Sequence, residues 1–340
     1  MNKTNTIGVD LAKNVFHLCI QNDKGHILKK IKLGRSQFKQ FLATTPVSRV
    51  VFESCATSHY WARVAARYEH QAALIHPAYV KAYLKTNKND FNDAEAICEA
   101  DSRPTMRYVA SKTIAQQDIQ LLHRIRQRQI DQRTALVNQI RGQLLEYGIP
   151  IPKGISQVRH QLASILEDGE NELTPQARLL FDALRQELCE LDSRIKQADK
   201  QVKQLADSHP LCQRLMAIPG IGPMIATALI SAVGNASNFK NGRELSAWLG
   251  LVPKQFSTGG QQRLLGISKR GDGYVRALLV QGALSAITRC KGRTDSQLLW
   301  ARQLQEKKGL QKAAVALANK MARIVWSVMA RDHDYVTIVK

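Results

Sequence analysis

Three short apolar runs open the chain in quick succession: TIGVDLA (6–12), NVFHLCIQN (14–22) and HILKKIKL (26–33). Each has the length and composition of a strand, and DKG (23–25) between the last two is a turn signal. Strands joined by such short connections fold back on one another, so the chain is expected to begin as a three-stranded antiparallel meander. The runs that follow alternate in type. SQFKQFLATT (36–45) reads as a helix with Ser36 as N-cap, RVVFES (49–54) as a strand and SHYWARVAARYE (58–69) as a helix. QAALIH (71–76) reads as a strand, and PAYVKAYLK (77–85) and DFNDAEAICEADS (90–102) as helices. The order βββαβαβαα predicts an α/β domain over residues 1–110.

The next stretch changes character. Residues 113–147 are polar and helical in pattern, EYGIPIPKG (146–154) breaks them, and 155–173 reads as a mixed connection. After Pro175, the residues Leu184, Leu188, Leu191, Ile195, Ala198, Val202 and Leu205 recur in a heptad seam. Such a seam serves either a neighbouring helix of the same chain or assembly with a second chain. Residues 111–206 are therefore expected to be an α-helical, coiled-coil middle region. Residues 207–340 are expected to be a mostly α-helical C-terminal domain, with an irregular stretch at 252–273.

Charge narrows the partner. The 340 residues carry a formal net charge of +21. Residues 206–340 hold 19 basic against 7 acidic side chains, whereas 111–205 hold 14 against 12. A stretch so depleted of acid favours a polyanion, with nucleic acid first among candidates. The six cysteines form no CxxC pair and no zinc-ligand spacing, which fits buried thiols in a reducing cytoplasm. No signal peptide and no apolar stretch of membrane-spanning length is apparent, so no membrane partner is expected.

Against that basic background four carboxylates stand out. Asp10 interrupts an otherwise interior strand, where an uncompensated charge is costly. Glu53 ends the fourth run, and Asp90 and Asp93 lie one helical turn apart at the start of a helix. A fourth strand laid beside the first would bring Asp10 and Glu53 together, and a helix across the sheet would deliver the other two. Carboxylates so gathered repel one another unless cations neutralise them, and hard oxygen ligands suit Mg²⁺ or Mn²⁺. Two such ions can bracket a phosphodiester. Taken singly, Glu53 reads as a strand-end surface residue, Asp90 as a helix N-cap and Asp93 as a favourable first-turn charge.

Two C-terminal motifs complete the pattern. IPGIG (218–222) lies between two apolar helical runs. Gly220 and Gly222 there permit positive φ and open backbone N–H groups at a helix start, as a helix-hairpin-helix uses to grip phosphate. A plain tight turn between packed helices gives the same string. KQFSTGG (254–260) is a small-residue loop whose hydroxyls are Ser257 and Thr258. Its two glycines, Gly259 and Gly260, would let a DNA backbone approach it, with Lys254, Arg263, Lys269 and Arg270 around it.

IGVDLAK, VVFESCATSHYW and NKNDFNDAEA resemble the three blocks of a RuvC-like, ribonuclease-H-fold DEDD domain. Together with AIPGIGPMIATAL, LSAWLGLVPKQFSTGGQQRLLGISKRGD and RALLVQGA, they resemble transposases of insertion sequence family 110, in its 1111 group, over nearly the whole chain. The resemblance implies metal ligation by Asp10, Glu53, Asp90 and Asp93 and a serine nucleophile in the KQFSTGG block. Spacing to ISK favours Ser257 and spacing from LVP favours Thr258; Ser257 is taken as the only serine of the loop. The resemblance further implies strand exchange on double-stranded DNA through a phosphoserine intermediate and a composite site, either within one subunit or shared between subunits. A noncoding bridge RNA as guide, a dimer or tetramer, and a cytoplasmic, nucleoid-associated setting follow from the same likeness. The rival expectations are a hydrolytic RuvC-like junction nuclease with water in place of Ser257, and a non-catalytic helix-hairpin-helix DNA-binding protein.

Overall fold

The computed structural model describes residues 4–84, 89–259, 261–289 and 295–336. The chain divides into two compact units, Met1–Ala115 and Gln116–Lys340.

In the first unit β1 (Thr6–Leu11), β2 (Val15–Gln21) and β3 (Ile27–Gly34) form the expected meander. Helix α1 (Arg35–Thr44) leads to β4 (Arg49–Glu53), which pairs parallel to β1. Helix α2 (Ser58–Arg67) leads to β5 (Gln71–Ile75), parallel to β4. After α3 (Pro77–Val80) and α4 (Asp90–Asp101), β6 (Tyr108–Val109) closes the far edge antiparallel to β5. The sheet order is β3-β2-β1-β4-β5-β6. Helix α1 is capped two residues earlier than its sequence suggests: Gly34 is the N-cap, and its N–H donates to Gln37 Oε1 at 2.8 Å, so Ser36 lies inside the helix.

The alternation of side chains along a strand sorts this sheet into two faces. Ile7, Val9, Phe16, Leu18, Val50 and Phe52 join Phe38, Leu42 and Trp61 of α1 and α2 in one core. The residues between them, Gly8, Asp10, His17, Val51 and Glu53, therefore belong to the opposite face, where α4 packs on β1 and β2.

The second unit begins with α5 (Ile114–Glu146), α6 (Ile155–Glu167) and α7 (Pro175–Ser208). The stretch expected as a mixed connection thus contains a helix, with Val158 and Leu162 buried. Helices α5 and α7 run antiparallel: Arg126 pairs with Asp199 at 2.5 Å, and one heptad further along α5, Arg133 pairs with Asp192 one heptad back, at 3.0 Å. In the heptad seam Leu188, Leu191, Ile195, Ala198 and Val202 are buried. Leu188 and Leu191 share a cluster with Ile140 and Leu144 of α5, so this part of the seam is satisfied by a neighbouring helix of the same chain.

Beyond lie α8 (Pro210–Met216), α9 (Pro223–Val233), α10 (Gly242–Trp248), the strands β7 (Pro253–Thr258) and β8 (Gln261–Ile267), and α11 (Gly273–Arg289), α12 (Ser296–Lys308) and α13 (Leu310–Arg331). Buried His123 of α5 ties this bundle together, with Nε2 2.9 Å from Thr227 Oγ1 and Nδ1 2.9 Å from the Tyr274 hydroxyl. Since Thr227 donates its own proton to Pro223 O, Nε2 is the donor and Nδ1 accepts from Tyr274. Burial holds this imidazole neutral, its pKa lowered to about 4.

Two sequence expectations are revised here. The stretch expected to be irregular at 252–273 contains the antiparallel pair β7–β8. Helix α13 is also long and apolar enough, by length and composition, to cross a membrane. Its buried residues Leu317, Met321, Val325 and Val328 belong to the core of this unit, against α10, α11 and α12. Of the cysteines expected to be buried, Cys19, Cys98 and Cys212 are, whereas Cys55 and Cys189 are exposed, and Cys290 lies outside the described residues.

Candidate active site

The position of α4 decides the site. Asn89, in extended conformation, accepts a hydrogen bond from Phe91 N–H through Oδ1 at 3.0 Å and so caps the helix. Asp90 is consequently the first helical residue rather than the cap, and its carboxylate is available for other partners. Near its middle the helix lies almost on the β1 backbone. A side chain at Gly8 would place Cβ 2.3 Å from Ala94 O and 2.6 Å from Cys98 Sγ, so only glycine admits this approach. The Gly8 N–H instead donates to Cys98 Sγ at 3.0 Å. At the other end Arg49 of β4 grips Asp101 through two hydrogen bonds of 2.6 and 2.7 Å. With middle and C-terminus fixed on β1 and β4, the first turn of α4 falls beside Asp10.

The antiparallel register places His17 directly opposite Asp10, and the parallel register that pairs Val9 with Phe52 sets Glu53 at the adjoining end of β4. Ligand atoms of Asp10, His17 and Asp90 lie within 4.8 Å of one another. His17 Nδ1 is 3.4 Å from Asp90 Oδ2, and its ring meets Phe91 edge-on, with centroids 4.7 Å apart. The pKa of Asp10 is raised from 3.8 to about 6, chiefly by burial and then by the charges of Asp93, Asp90 and Glu53, with His17 acting in the opposite direction. Burial and the charge of Asp93 also raise the Glu53 carboxyl. All four predicted carboxylates therefore share one electrostatic neighbourhood. The tightest ligand set within it includes a histidine that sequence reasoning passed over.

That neighbourhood has the chemistry of a divalent-cation site. Buried Asp93 Oδ1 and His17 Nδ1 have no hydrogen-bond partner, although a buried polar atom normally finds one. Carboxylate oxygens with one imidazole nitrogen make a donor set suited to Mg²⁺ or Mn²⁺, the oxygens to either ion and the nitrogen more to Mn²⁺. His17 was legible only through register: it is the one histidine in an apolar strand and stands across the hairpin from Asp10.

The hydroxyl loop of the sequence is a ribbon. Ser257 lies in β7 opposite Gln262, and Thr258 opposite Gln261 at the tip, beside Gly259 at φ +57°. Ser257 Oγ accepts a hydrogen bond from Gln255 Nε2 at 3.0 Å. Lys254, Arg263, Lys269 and Arg270 are all exposed. The last two stand where the chain leaves the ribbon, with Lys269 N–H donating to Gly250 O at 3.1 Å and Arg276 binding Arg270 O at 2.9 Å.

The IPGIG turn does join two helices, α8 and α9, but its glycines differ. Gly220 has φ +89°, and its backbone packs on α11: a Cβ there would meet Gly282 O at 2.7 Å. Gly222 is the extended N-cap of α9, at φ −104°, so the positive φ expected of it is absent. Packing against α11 accounts for Gly220 without a ligand.

Comparison with known proteins bears on both units. A family model for DEDD transposases, described as "Transposase", matches residues 7–149. Another, "Transposase IS116/IS110/IS902 family", matches residues 212–298. The chain is 41% identical, over 97% of its own length and 90% of the relative's, to a protein of Coxiella burnetii named "Transposase for insertion sequence element IS1111A". It is 42% identical to a "Probable family 20 transposase" of Pseudomonas aeruginosa, over 97% and 98% of the two chains. With a "Transposase for insertion sequence element IS1328" of Yersinia enterocolitica it shares 41% identity, over 95% and 96%.

Proposed function

The chain belongs to the IS116/IS110/IS902 family of transposases, and from that premise we propose that it is a DNA recombinase working by phosphoryl transfer, with Ser257 as nucleophile. The observation that carries the reading is the convergence of Asp10, His17, Asp90, Asp93 and Glu53 on one face of the sheet, with Asp93 Oδ1 and His17 Nδ1 buried without a hydrogen-bond partner. A cluster this acidic repels a phosphodiester, so it is of use to a DNA-cutting protein only as a cation holder.

Asp10, Asp90 and His17 would hold the divalent ion, with Asp93 and Glu53 beside them. Such an ion supplies charge neutralisation at the scissile phosphate and stabilises the attacking and leaving oxygens. The helix cap at Asn89, the close contact at Gly8 and the Arg49–Asp101 pair hold the carboxylates in place before any ligand arrives. Ser257 Oγ attacks phosphorus, forming a phosphoserine bond as the bond to the leaving deoxyribose oxygen breaks. The serine proton ends on that oxygen. Attack by a hydroxyl of another strand reverses the exchange and frees the serine, so phosphodiester bonds are conserved and no energy source is consumed. Lys254, Arg263, Lys269 and Arg270 offset phosphate charge, and the start of α9 at its N-cap Gly222 meets the DNA backbone in the manner of a helix-hairpin-helix, while Gly220 serves only the packing of the turn on α11. A bridge RNA guides target choice, and a dimer or tetramer brings two duplexes together. The three-part division at residues 110 and 206 belongs to the same proposal.

A second reading is supported by Ser257 itself, whose hydroxyl is bonded to a carboxamide rather than to a base. Water would then be the nucleophile and the protein a junction nuclease. Denaturing electrophoresis after incubation with junction DNA and Mg²⁺ separates the two. The recombinase reading expects a covalent protein–DNA adduct in wild type and neither adduct nor cleavage in Ser257→Ala. Cleavage by Ser257→Ala at the wild-type rate would establish the hydrolytic reading instead.

A further inference from the structure

The most exposed apolar surface of the β7–β8 ribbon is distributed over both of its faces. Phe256 and Leu264 are each 64% exposed. In an antiparallel pair, residues opposite one another share a face, and neighbours along a strand do not. Phe256 pairs with Arg263, so these two lie on one face. Ser257 pairs with Gln262 and Gln255 with Leu264, so this second set lies on the other. A single flat surface could cover only one of the two apolar side chains. Water is removed from both when the ribbon enters a cleft and is contacted on each side.

The chemistry of that cleft follows from charge. From Pro253 to Gly271 the chain carries Lys254, Arg263, Lys269 and Arg270 and no acidic residue. A polyanion complements this stretch, whereas the hydrophobic cleft of a second copy would leave its four cations unanswered. A two-stranded ribbon also fits a groove of DNA, and apolar side chains are a known means of parting base steps.

We propose that the ribbon is a wedge for locally opened double-stranded DNA. Phe256 stacks on an unpaired base on one side, Leu264 contacts the base opposite, and Lys254 and Arg263 bind the flanking phosphates. The proposal rests on the DNA-processing reading but not on the identity of the nucleophile, since Ser257 need make no contact with the parted bases.

The test is a binding comparison in EDTA, where strand cleavage is suppressed. The full-length protein is titrated into a fluorescent 30-base-pair duplex and into the same duplex with a central two-nucleotide bubble. Wild type is expected to prefer the bubble by roughly tenfold, the scale of one base–aromatic stack. Phe256→Ala and Leu264→Ala are each expected to lose most of that preference while keeping their affinity for the intact duplex. Phe256→Trp retains the preference, which rules out general damage to the ribbon. Ser257→Ala retains it as well. Loss of the covalent adduct therefore tests the nucleophile, and loss of the bubble preference tests the wedge. Equal affinity of wild type for both probes overturns the proposal, as does a preference that survives both alanine substitutions. Sedimentation velocity on the same variants supplies the remaining outcome: a smaller particle with unchanged bubble preference assigns these side chains to a contact between copies of the chain.

Discussion

Asp10 occupies a position where its own charge lowers stability. An acid whose pKa is raised on folding binds its proton more tightly in the native state, so its contribution to stability falls as pH rises from its unfolded value towards its folded one. For Asp10 that window runs from 3.8 to about 6. In protein freed of divalent ions, Asp10→Asn is therefore expected to raise stability by about 1–2 kcal/mol above pH 6, after allowance for partial exposure. The gain should vanish below pH 4. Thermal melts across pH 4–8 measure it, and a destabilised variant at pH 7.5 would count against mutual repulsion of the carboxylates. With millimolar Mn²⁺ the order reverses: wild type gains melting temperature through ligand linkage and the variant gains little. Asp10 was conspicuous in the sequence because a charge inside an apolar strand is expensive. His17 was not, because a lone histidine in a strand acquires meaning only once the register places it opposite Asp10.

At the scale of elements, the site depends on how closely α4 can approach β1. Gly8→Ala forces the helix away, since its Cβ would sit 2.3 Å from Ala94 O and 2.6 Å from Cys98 Sγ. Overpacking of this kind costs roughly 1–3 kcal/mol, and a shift of about 1 Å in a catalytic group can cost 10²-fold in rate. Gly8→Ala is expected to retain the circular dichroism of the folded chain, melt at lower temperature and lose at least tenfold of the strand-cleavage rate. Cleavage at the wild-type rate would remove α4 from the argument. The order of strands and helices as far as α4 was legible because hydrophobic periodicity and turn residues are local signals; the two-residue β6 was not, being too short to carry a period. The tight contact was not, since nothing local in IGVDLAK specifies which helix will cover the glycine. The ribbon at β7–β8 was missed for a related reason: its strands lack an alternation of buried and exposed residues, and every residue of β7 is exposed.

For the whole molecule the decisive quantity is charge. Nineteen basic against seven acidic residues over 206–340 give this stretch more than half of the net positive charge of the chain. DNA binding should accordingly weaken steeply with salt, the logarithm of affinity falling by about 0.9 per phosphate neutralised. Neutralising Lys269 and Arg270 together, as Lys269→Gln with Arg270→Gln, is expected to lower the slope of log affinity against log salt by about 2 if both contact phosphate. Anisotropy titrations from 50 to 300 mM salt measure the slope, and an unchanged slope would leave the two as plain surface charges. Charge, the succession of the first five strands and the choice of candidate acids are properties of composition and local pattern, and were readable without coordinates. The tertiary structure alone decided that His17 joins the acids, that Gly8 admits α4 and that Gly220 is committed to packing. These depend on register and on distances between residues far apart in the chain, which become physical quantities only when the backbone closes on itself.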